Sequence, residues 1–240
     1  MITIILAGGS NNGFKVNYPR ILLKVNQIPM IVRSINNAIL LKSEMIIIVV
    51  NLKNKDQIER IVKQYVKNRN IFYTIQNEPL GTGDAIRSCI PYLEEIDPFD
   101  DVLILNADIP TLSFYTINTF LKWDNDNDSR ILCSVTNDPT GYGRLIRDKR
   151  YNFIKIVEEK DCNEEEKKIS YINGGVYKFK NYQILENIKL LKKEENTHDI
   201  TDLINIIKPA IYMLESKWNK ELINVNDRAS LKKVESIYKK

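Results

Sequence analysis

A glycine-rich turn after an apolar run is the first feature of this sequence that could do chemistry. The run 2–7 leads into the turn LAGG at 6–9, whose backbone N–H groups could form a nest for an anion such as phosphate. Gly8 and Gly13 have the spacing of a P-loop, but the Lys and Ser or Thr that must follow are absent. No second glycine arrives in register for a dinucleotide-binding fingerprint either. A tight turn without a ligand therefore stays open as the alternative.

A second glycine turn, QNEPLGTGDA at 76–85, predicts a site for a flat ligand. Gln76 closes a predicted strand, and Gly81, Thr82 and Gly83 lie at the entrance of a predicted helix. Glycines at such a point let a ligand approach the backbone, and the carboxamide of Gln76 adds a donor and an acceptor. This combination is suited to reading the edge of a nucleobase.

Carboxylates and amides follow several later strands. Asp108, in NADIP, comes directly after the most apolar predicted strand, where a charged carboxylate needs a cation or a metal as its partner. DPTGYGR at 138–144, IVEEKD at 156–161 and YINGG at 171–175 add a glycine turn, a carboxylate and an amide. Each of these three is equally compatible with an ordinary turn or cap.

The elements that must position these residues alternate in the first half of the chain. The predicted strands are 2–7, 44–50, 70–76 and 100–108, and the predicted helices are 30–41, 56–67 and 83–95. Strands that are apolar on both faces and alternate with helices predict an α/β fold with a doubly wound, mostly parallel sheet flanked by helices. Ligands bind such sheets at the carboxyl ends of the strands, where the turns described above fall.

The pattern changes after the polar loop 124–128. Consecutive strands are predicted at 130–138, 143–148, 153–160 and 171–180, followed by helices at 182–193 and 201–207. A closing helix at 227–238 is capped near Asn226 or Asp227. We expect a mixed, partly antiparallel half that covers one side of the site within the same domain.

Composition narrows the functional class. The net charge of +4 is mild and forms no long block, which argues against nucleic-acid and membrane partners. Cys89, Cys133 and Cys162 are widely spaced and lack a CxxC pair, so we expect a reducing compartment and no zinc site. No run approaches the ~20 apolar residues of a membrane span, and a cytoplasmic location is expected.

Taken in order, these motifs resemble the N-acetylglucosamine-1-phosphate uridyltransferases, the uridyltransferase half of a bifunctional bacterial enzyme and part of the sugar nucleotidyltransferases. The matching segments are LAGG at 6–9, QNEPLGTGDA at 76–85, NADIP at 106–110, DPTGYGR at 138–144, IVEEKD at 156–161, INGGVY at 172–177, ITD at 200–202 and VNDR at 225–228. The resemblance implies a Rossmann-like nucleotide-binding mixed sheet with a mostly parallel core. It also implies a single domain over 1–240, with 1–125 mainly binding the nucleotide and 126–240 mainly binding the sugar.

The resemblance implies roles for individual residues. Contacts with uridine are expected from Leu6, Ala7, Gly8, Gln76, Gly81 and Thr82, and contacts with the sugar from Gly143, Glu158 and Asn173. Asp108 and Asn226 would hold Mg²⁺, for which their hard oxygens are suited. Asn226 would also lie within the substrate site.

The implied reaction joins UTP and a sugar-1-phosphate, with pyrophosphate as the second product and no protein nucleophile. His198 is therefore expected to be a solvent-facing loop residue rather than an acid or base. The relatives continue into a left-handed β-helix, and we expect this chain to have neither that domain nor its acetyl transfer. A homo-oligomer remains open.

The opening loop departs from the family pattern. Gly13 stands where the family has an arginine on the phosphates, and Arg20 stands where it has a lysine. We expect Arg20, together with Lys15, to form the catalytic phosphate clamp, although an exposed solubilising role for Lys15 is an equal alternative. Three functions stay open: an active uridyltransferase, a nucleotidyltransferase for another base or sugar, and a nucleotide-sugar binding protein without catalysis.

Overall fold

The computed structural model describes residues 1–9, 14, 18–67, 70–78, 80–191 and 198–239. Within these ranges the strands are β1 (Ile2–Leu6), β2 (Lys24–Val25), β3 (Ile28–Pro29), β4 (Met45–Asn51), β5 (Ile71–Gln76), β6 (Asp101–Asn106), β7 (Arg130–Val135), β8 (Arg144–Arg147), β9 (Phe153–Val157), β10 (Tyr171–Lys180) and β11 (Ala210–Met213). The helices are α1 (Met30–Leu40), α2 (Lys55–Tyr65), α3 (Thr82–Arg87), α4 (Ile90–Leu93), α5 (Phe114–Lys122), α6 (Asn181–Asn187), α7 (Ile200–Ile207) and α8 (Arg228–Ile237). None of the described helices is long and apolar enough to cross a membrane.

A nine-stranded mixed sheet organises the molecule. Its strands run in the order β11-β7-β10-β6-β1-β4-β5, with β8 beside β10 and β9 beside β8. β6, β1, β4 and β5 are parallel, whereas β10 is antiparallel to both β6 and β7. The expected α/β fold, with a mostly parallel core in a mixed sheet, is confirmed, and the carboxyl ends of β1, β4, β5 and β6 share one edge.

The apolar runs are continuous because the central strands are buried on both faces. In β1, Ile4 and Leu6 belong to a core cluster with residues of α3, α4, α6 and α7. Ile5, between them in sequence, belongs to a second cluster with residues of α1 and α2. Alternate side chains of a strand point to opposite faces, so a strand covered by helices on both sides requires apolar residues at every position.

The helices differ from the predictions in instructive places. The predicted helix 83–95 is two helices, α3 and α4, with a turn at Ser88 and Cys89. Pro91 lies in the first turn of α4, where its missing N–H costs no helical hydrogen bond. Inside one continuous helix over 83–95 it would remove such a bond. The predicted helix 182–193 is regular only to Asn187 before a 3₁₀ turn. The cap of the closing helix is confirmed, since Asp227 accepts a 2.7 Å hydrogen bond from the Ser230 N–H.

β10 carries an irregularity that shapes the site. Its register against β7 shifts between Asn173 and Tyr177. Gly175 lies inside the shift with a φ of 70°, a left-handed conformation that glycine adopts without strain. A side chain there would also lie 2.7 Å from the Asn106 amide nitrogen. The Gly174-Gly175 pair thus lets β10 bend close to the end of β6.

Candidate active site

A cavity of about 240 Å³ opens at the carboxyl ends of β1, β5 and β6, with the start of α3 on its wall. It brings together residues predicted for the nucleotide, the phosphates and the metal, namely Leu6, Ala7, Gly8, Arg20, Gln76, Gly81, Thr82 and Asp108. Asn106 and Asp199 complete the polar lining. The site therefore lies at the edge of the sheet at which ligands of doubly wound folds bind.

The turn after β1 is held by two asparagines, Asn51 at the end of β4 and Asn54 directly before α2. Asn54 donates a 3.0 Å hydrogen bond to the Ala7 carbonyl, and Asn51 donates a 2.8 Å bond to the Gly8 carbonyl. The sequence analysis did not identify either residue, although both follow a predicted strand on the same edge. Gly8 has no room for a side chain, because a Cβ there would lie 2.9 Å from Oε1 of Gln76. The turn is thus built before any ligand arrives.

Gln76 is buried between the two glycine turns, and part of its hydrogen-bonding capacity is already used. Its amide nitrogen donates to the Gly81 carbonyl at 2.8 Å and to Oδ2 of Asp84 at 3.2 Å. The two N–H groups of a carboxamide are satisfied by these two acceptors. Gln76 therefore orients the 81–84 turn, and Oε1 is the atom that can accept from a ligand.

The LGTG turn packs against the segment that precedes α7. The Gly83 N–H donates to the His198 carbonyl at 2.8 Å, and the His198 N–H donates to the Leu80 carbonyl at 2.6 Å. Gly81 has a φ of 105° and a ψ of 175°, and a Cβ on it would overlap the His198 carbonyl. The backbone of the chain itself approaches Gly81 and Gly83 closely, a contact that the sequence did not predict, while Gly81 also lines the cavity.

The expectation that His198 faces solvent is wrong. The residue is only 2% exposed, because its backbone forms part of the contact with the 80–83 turn. Thr82 contributes to the same contact, since its hydroxyl accepts a 2.8 Å bond from the Ile200 N–H. The polar residues around position 198 predicted a loop. The burial of His198 follows from the contact between the segments 80–83 and 198–200, which the local sequence does not show.

Asp108 and Arg20 line the cavity, and Arg20 joins Asp108 to the exposed Asn226, which is not part of the lining. Arg20 Nη2 lies 2.7 Å from Oδ2 of Asp108, and Arg20 Nη1 lies 2.9 Å from Oδ1 of Asn226. The Val225 N–H donates to the Asp108 carbonyl at 2.9 Å, which brings the start of the 225–228 segment to the end of β6. The cationic partner that a buried carboxylate requires is thus supplied by the chain itself.

The environment of Asp108 is electrostatically mixed. Burial raises the pKa of the Asp108 carboxyl, and the nearby charge of Arg20 opposes that rise. Oδ1 of Asp108 is buried without a hydrogen-bond partner. A buried carboxylate oxygen without a hydrogen-bond partner costs free energy, and a bound ion or ligand donor beside Oδ1 would remove that cost.

The residues predicted for the sugar are adjacent to one another on the other half of the sheet. The Asn173 N–H donates to the Gly143 carbonyl at 2.9 Å, and a Cβ on Gly143 would lie 3.5 Å from Oε1 of Glu158. The Asn173 amide also donates to the Tyr177 hydroxyl at 2.9 Å and accepts from the Gly175 N–H at 3.1 Å. These internal bonds fix the orientation of Asn173 within the β10 irregularity.

Asp199 connects the two regions. It lines the 240 Å³ cavity and also a second cavity of about 310 Å³ that includes Glu158, Lys160 and Thr201. Lys160 Nζ lies 2.9 Å from Oδ2 of Asp199. Burial and the charge of Asp199 both raise the pKa of Glu158. The sequence analysis assigned Asp199 no role, and its position directly before the ITD motif was the available indication.

The predicted roles of two loop residues and of a metal ion have no direct counterpart among the described residues. Lys15 and Gly13 fall outside the described residues. Among the residues that are described, no three histidines, cysteines or acidic residues are grouped as a metal cluster. The pair of Asp108 and Asn226 contains one carboxylate and one amide, so water or substrate oxygens would have to complete the shell of an ion, as is usual for Mg²⁺.

The chain has clear relatives. A model of the nucleotidyl transferase family matches residues 2–221. The chain belongs to this family. This nucleotidyl transferase is 33% identical, over 245 residues, to a probable UDP-N-acetylglucosamine pyrophosphorylase of Acanthamoeba polyphaga mimivirus, covering 98% of the chain and 95% of that relative. It is also 33% identical to the bifunctional protein GlmU of Caldanaerobacter subterraneus, matching 100% of the chain but 52% of the longer protein. The resemblance stated from the motifs is confirmed.

Solved structures agree on the fold. A Bacillus anthracis protein assigned as a glucose-1-phosphate thymidylyltransferase superposes with a TM-score of 0.76 at 19% identity, covering 99% of this nucleotidyl transferase and 95% of that chain. HddC from Yersinia pseudotuberculosis superposes with a TM-score of 0.70, also at 19% identity, over 99% of both chains. At this level of identity the likeness concerns architecture.

Proposed function

We propose that this nucleotidyl transferase makes UDP-N-acetylglucosamine and pyrophosphate from UTP and N-acetylglucosamine-1-phosphate. The observation that carries the proposal is the contact of Arg20 with both Asp108 and Asn226, at a cavity lined by Arg20, Asp108 and the Gly8 and Gly81 turns. A relative at 33% identity is named a probable UDP-N-acetylglucosamine pyrophosphorylase. The ordered motifs from LAGG to VNDR support the same substrates.

The residues of the chain bind and orient two anionic reactants. An oxygen of the sugar phosphate attacks the α-phosphorus of UTP, the bond to the bridging oxygen breaks, and pyrophosphate leaves with that electron pair. The turn at Gly8 and the turn at Gly81 receive the nucleoside, while Gly143, Glu158 and Asn173 receive the sugar. Arg20 contributes the positive charge that stabilises developing charge on the phosphoryl oxygens.

Asp108 and Asn226 fit Mg²⁺ in their chemistry. Both offer hard oxygens, and Oδ1 of Asp108 is a buried acceptor without a partner. When bound, the ion would supply charge neutralisation on the phosphates and a template for in-line attack. The chain's share of this work is to hold one carboxylate and one amide at the end of β6.

Another sugar-1-phosphate is the second candidate substrate. Asp199 borders both cavities, and its partner Lys160 lines the cavity that contains Glu158. A charged pair at this place favours a different pattern of hydroxyl or amide groups on the sugar. The structural neighbour from Bacillus anthracis carries a name with a different sugar and base.

Pyrophosphate release tests the proposal. Purified protein is incubated with Mg²⁺, one nucleotide from UTP, CTP, GTP and dTTP, and one sugar-1-phosphate from a panel centred on N-acetylglucosamine-1-phosphate. We expect release with UTP and that sugar, its loss in Asp108→Asn, and normal release in the exposed control Asp56→Asn. Release only with another pair would relocate the substrate. Silence across the panel, with UTP still bound in calorimetry, would make the chain a binding protein.

Lys15 is tested separately. The resemblance leads us to expect that Lys15 supplies charge missing at Gly13, so Lys15→Ala should lower turnover by orders of magnitude and Gly13→Arg should raise it. Parent-like rates in both variants would remove Lys15 from the clamp and leave Arg20 as its cation.

A further inference from the structure

The guanidinium of Arg20 contacts both side chains assigned to the metal, Asp108 through Oδ2 and Asn226 through Oδ1. One of its nitrogens contacts Asp108 at 2.7 Å and another contacts Asn226 at 2.9 Å. A planar guanidinium presents its donors as a rigid fork, and here the fork spans two residues that are distant in sequence. A divalent ion held by Asp108 and Asn226 would be repelled by the positive charge of a guanidinium that contacts the same two side chains. The two positive groups are therefore alternatives at this pair.

The surroundings of Arg20 favour its contact with Asp108 and still allow the side chain to move. Asp108 is 9% exposed, so its charge is poorly compensated by water, and Arg20 neutralises it. Ile21 and Leu22, which follow Arg20 in a 3₁₀ turn, are buried and anchor the backbone. The guanidinium can consequently change partners by side-chain rotation while its backbone stays fixed. Its Nη2 lies 3.9 Å from the position of a Cβ on Gly9, beside the turn expected to receive phosphates.

We propose that Arg20 is the resident counter-ion of the Asp108–Asn226 pair and leaves the pair when a divalent ion binds. The proposal rests on the proposed function, because it takes the pair as the metal site. In the protein without ligands, Arg20 keeps this pair closed to a free ion. An ion that arrives with the nucleotide brings phosphate oxygens to which the released guanidinium can turn. Arg20 thus couples the filling of the metal site to the arrival of nucleotide.

Mn²⁺ binding without nucleotide tests this idea. Free Mn²⁺ is measured by electron paramagnetic resonance at pH 8 in the parent protein and in Arg20→Met, which keeps much of the side-chain length and loses the charge. If Arg20 leaves about a tenth of the molecules competent to bind, the apparent affinity should rise about tenfold in the variant. Lys24→Met is the matched control, since it removes one exposed positive charge nearby, and it should bind Mn²⁺ as the parent does.

Two further variants show where the additional Mn²⁺ affinity of Arg20→Met arises. In Arg20→Met with Asp108→Asn, the added affinity should disappear, which places the ion at the pair. Arg20→Lys keeps the charge and should stay within about threefold of the parent. An unchanged affinity in Arg20→Met would overturn the proposal, as would an equal gain in Arg20→Lys, because charge would then not be the cause. Thermal unfolding of each variant confirms that it is folded.

The outcome is independent of turnover. Weak Mn²⁺ binding in the parent and a gain in Arg20→Met would support the role of Arg20 even if no sugar-1-phosphate were consumed. Normal turnover with no gain in Arg20→Met would refute the role of Arg20 and leave the proposed function standing.

Discussion

Gly81→Ala should destabilise the protein more than the same change at another glycine with a positive φ. Gly81 has a φ of 105° and a ψ of 175°, a region almost restricted to glycine, where another residue costs about 1–3 kcal/mol of backbone strain. The new Cβ would also overlap the His198 carbonyl and approach Asp199 Oδ1 at 3.1 Å. With displacement of this segment included, we expect a total of about 3–5 kcal/mol, among the larger effects of single substitutions.

Gly141 supplies the control for this experiment. Its φ is 83°, but a Cβ added there would meet nothing within 4 Å. Gly141→Ala should therefore cost only backbone strain, about 1–2 kcal/mol. Urea denaturation of both variants measures the free energies of unfolding, and a UTP titration measures their affinity for UTP. A difference of less than about 0.5 kcal/mol between the variants, the usual scatter of surface substitutions, would refute the claim that the 81–83 turn is fitted to the 198–200 segment.

Other perturbations test separate parts of the site. Asn54→Ala removes the bond to the Ala7 carbonyl, and we expect a loss of about 1–3 kcal/mol of unfolding free energy in urea together with a higher KM for UTP. Asp199→Asn removes a charge that raises the pKa of Glu158, so the acid limb of the kcat/KM profile should move to lower pH; an unmoved limb would contradict this coupling. Chelation of divalent ions should abolish turnover but leave the melting temperature of the unliganded protein unchanged, because Arg20 neutralises Asp108.

The central strands of the sheet were predictable because burial on both faces requires a continuous run of apolar residues, which is visible in the sequence. The predicted strand 171–180 coincides with β10, and 70–76 differs from β5 by one residue. β11 and α5 were not predicted. β11 has four residues, all half-buried, at the edge of the sheet beside β7, and so short a run does not distinguish a strand from a buried turn.

The site was predictable as a location and not as a set of contacts. Residues that follow parallel strands must gather at one edge, which identified the Gly8 turn, Gln76 and Asp108 from their positions alone. Arg20 is 88 residues from Asp108 and 206 from Asn226, and no local pattern specifies that one side chain joins both. The burial of His198 escaped prediction for the same reason, because it depends on pairing between two distant segments.

The position of the segment 198–200 limits how the preference for a sugar-1-phosphate could be redesigned. Its backbone supports the turn at Gly81, while the side chain of Asp199 borders the cavity that contains Glu158. A library that varied position 199 to admit a new sugar would also disturb the neighbouring cavity that we propose for the nucleotide. Preferences for sugar and for base should therefore drift together in laboratory evolution, and the two are best selected at once.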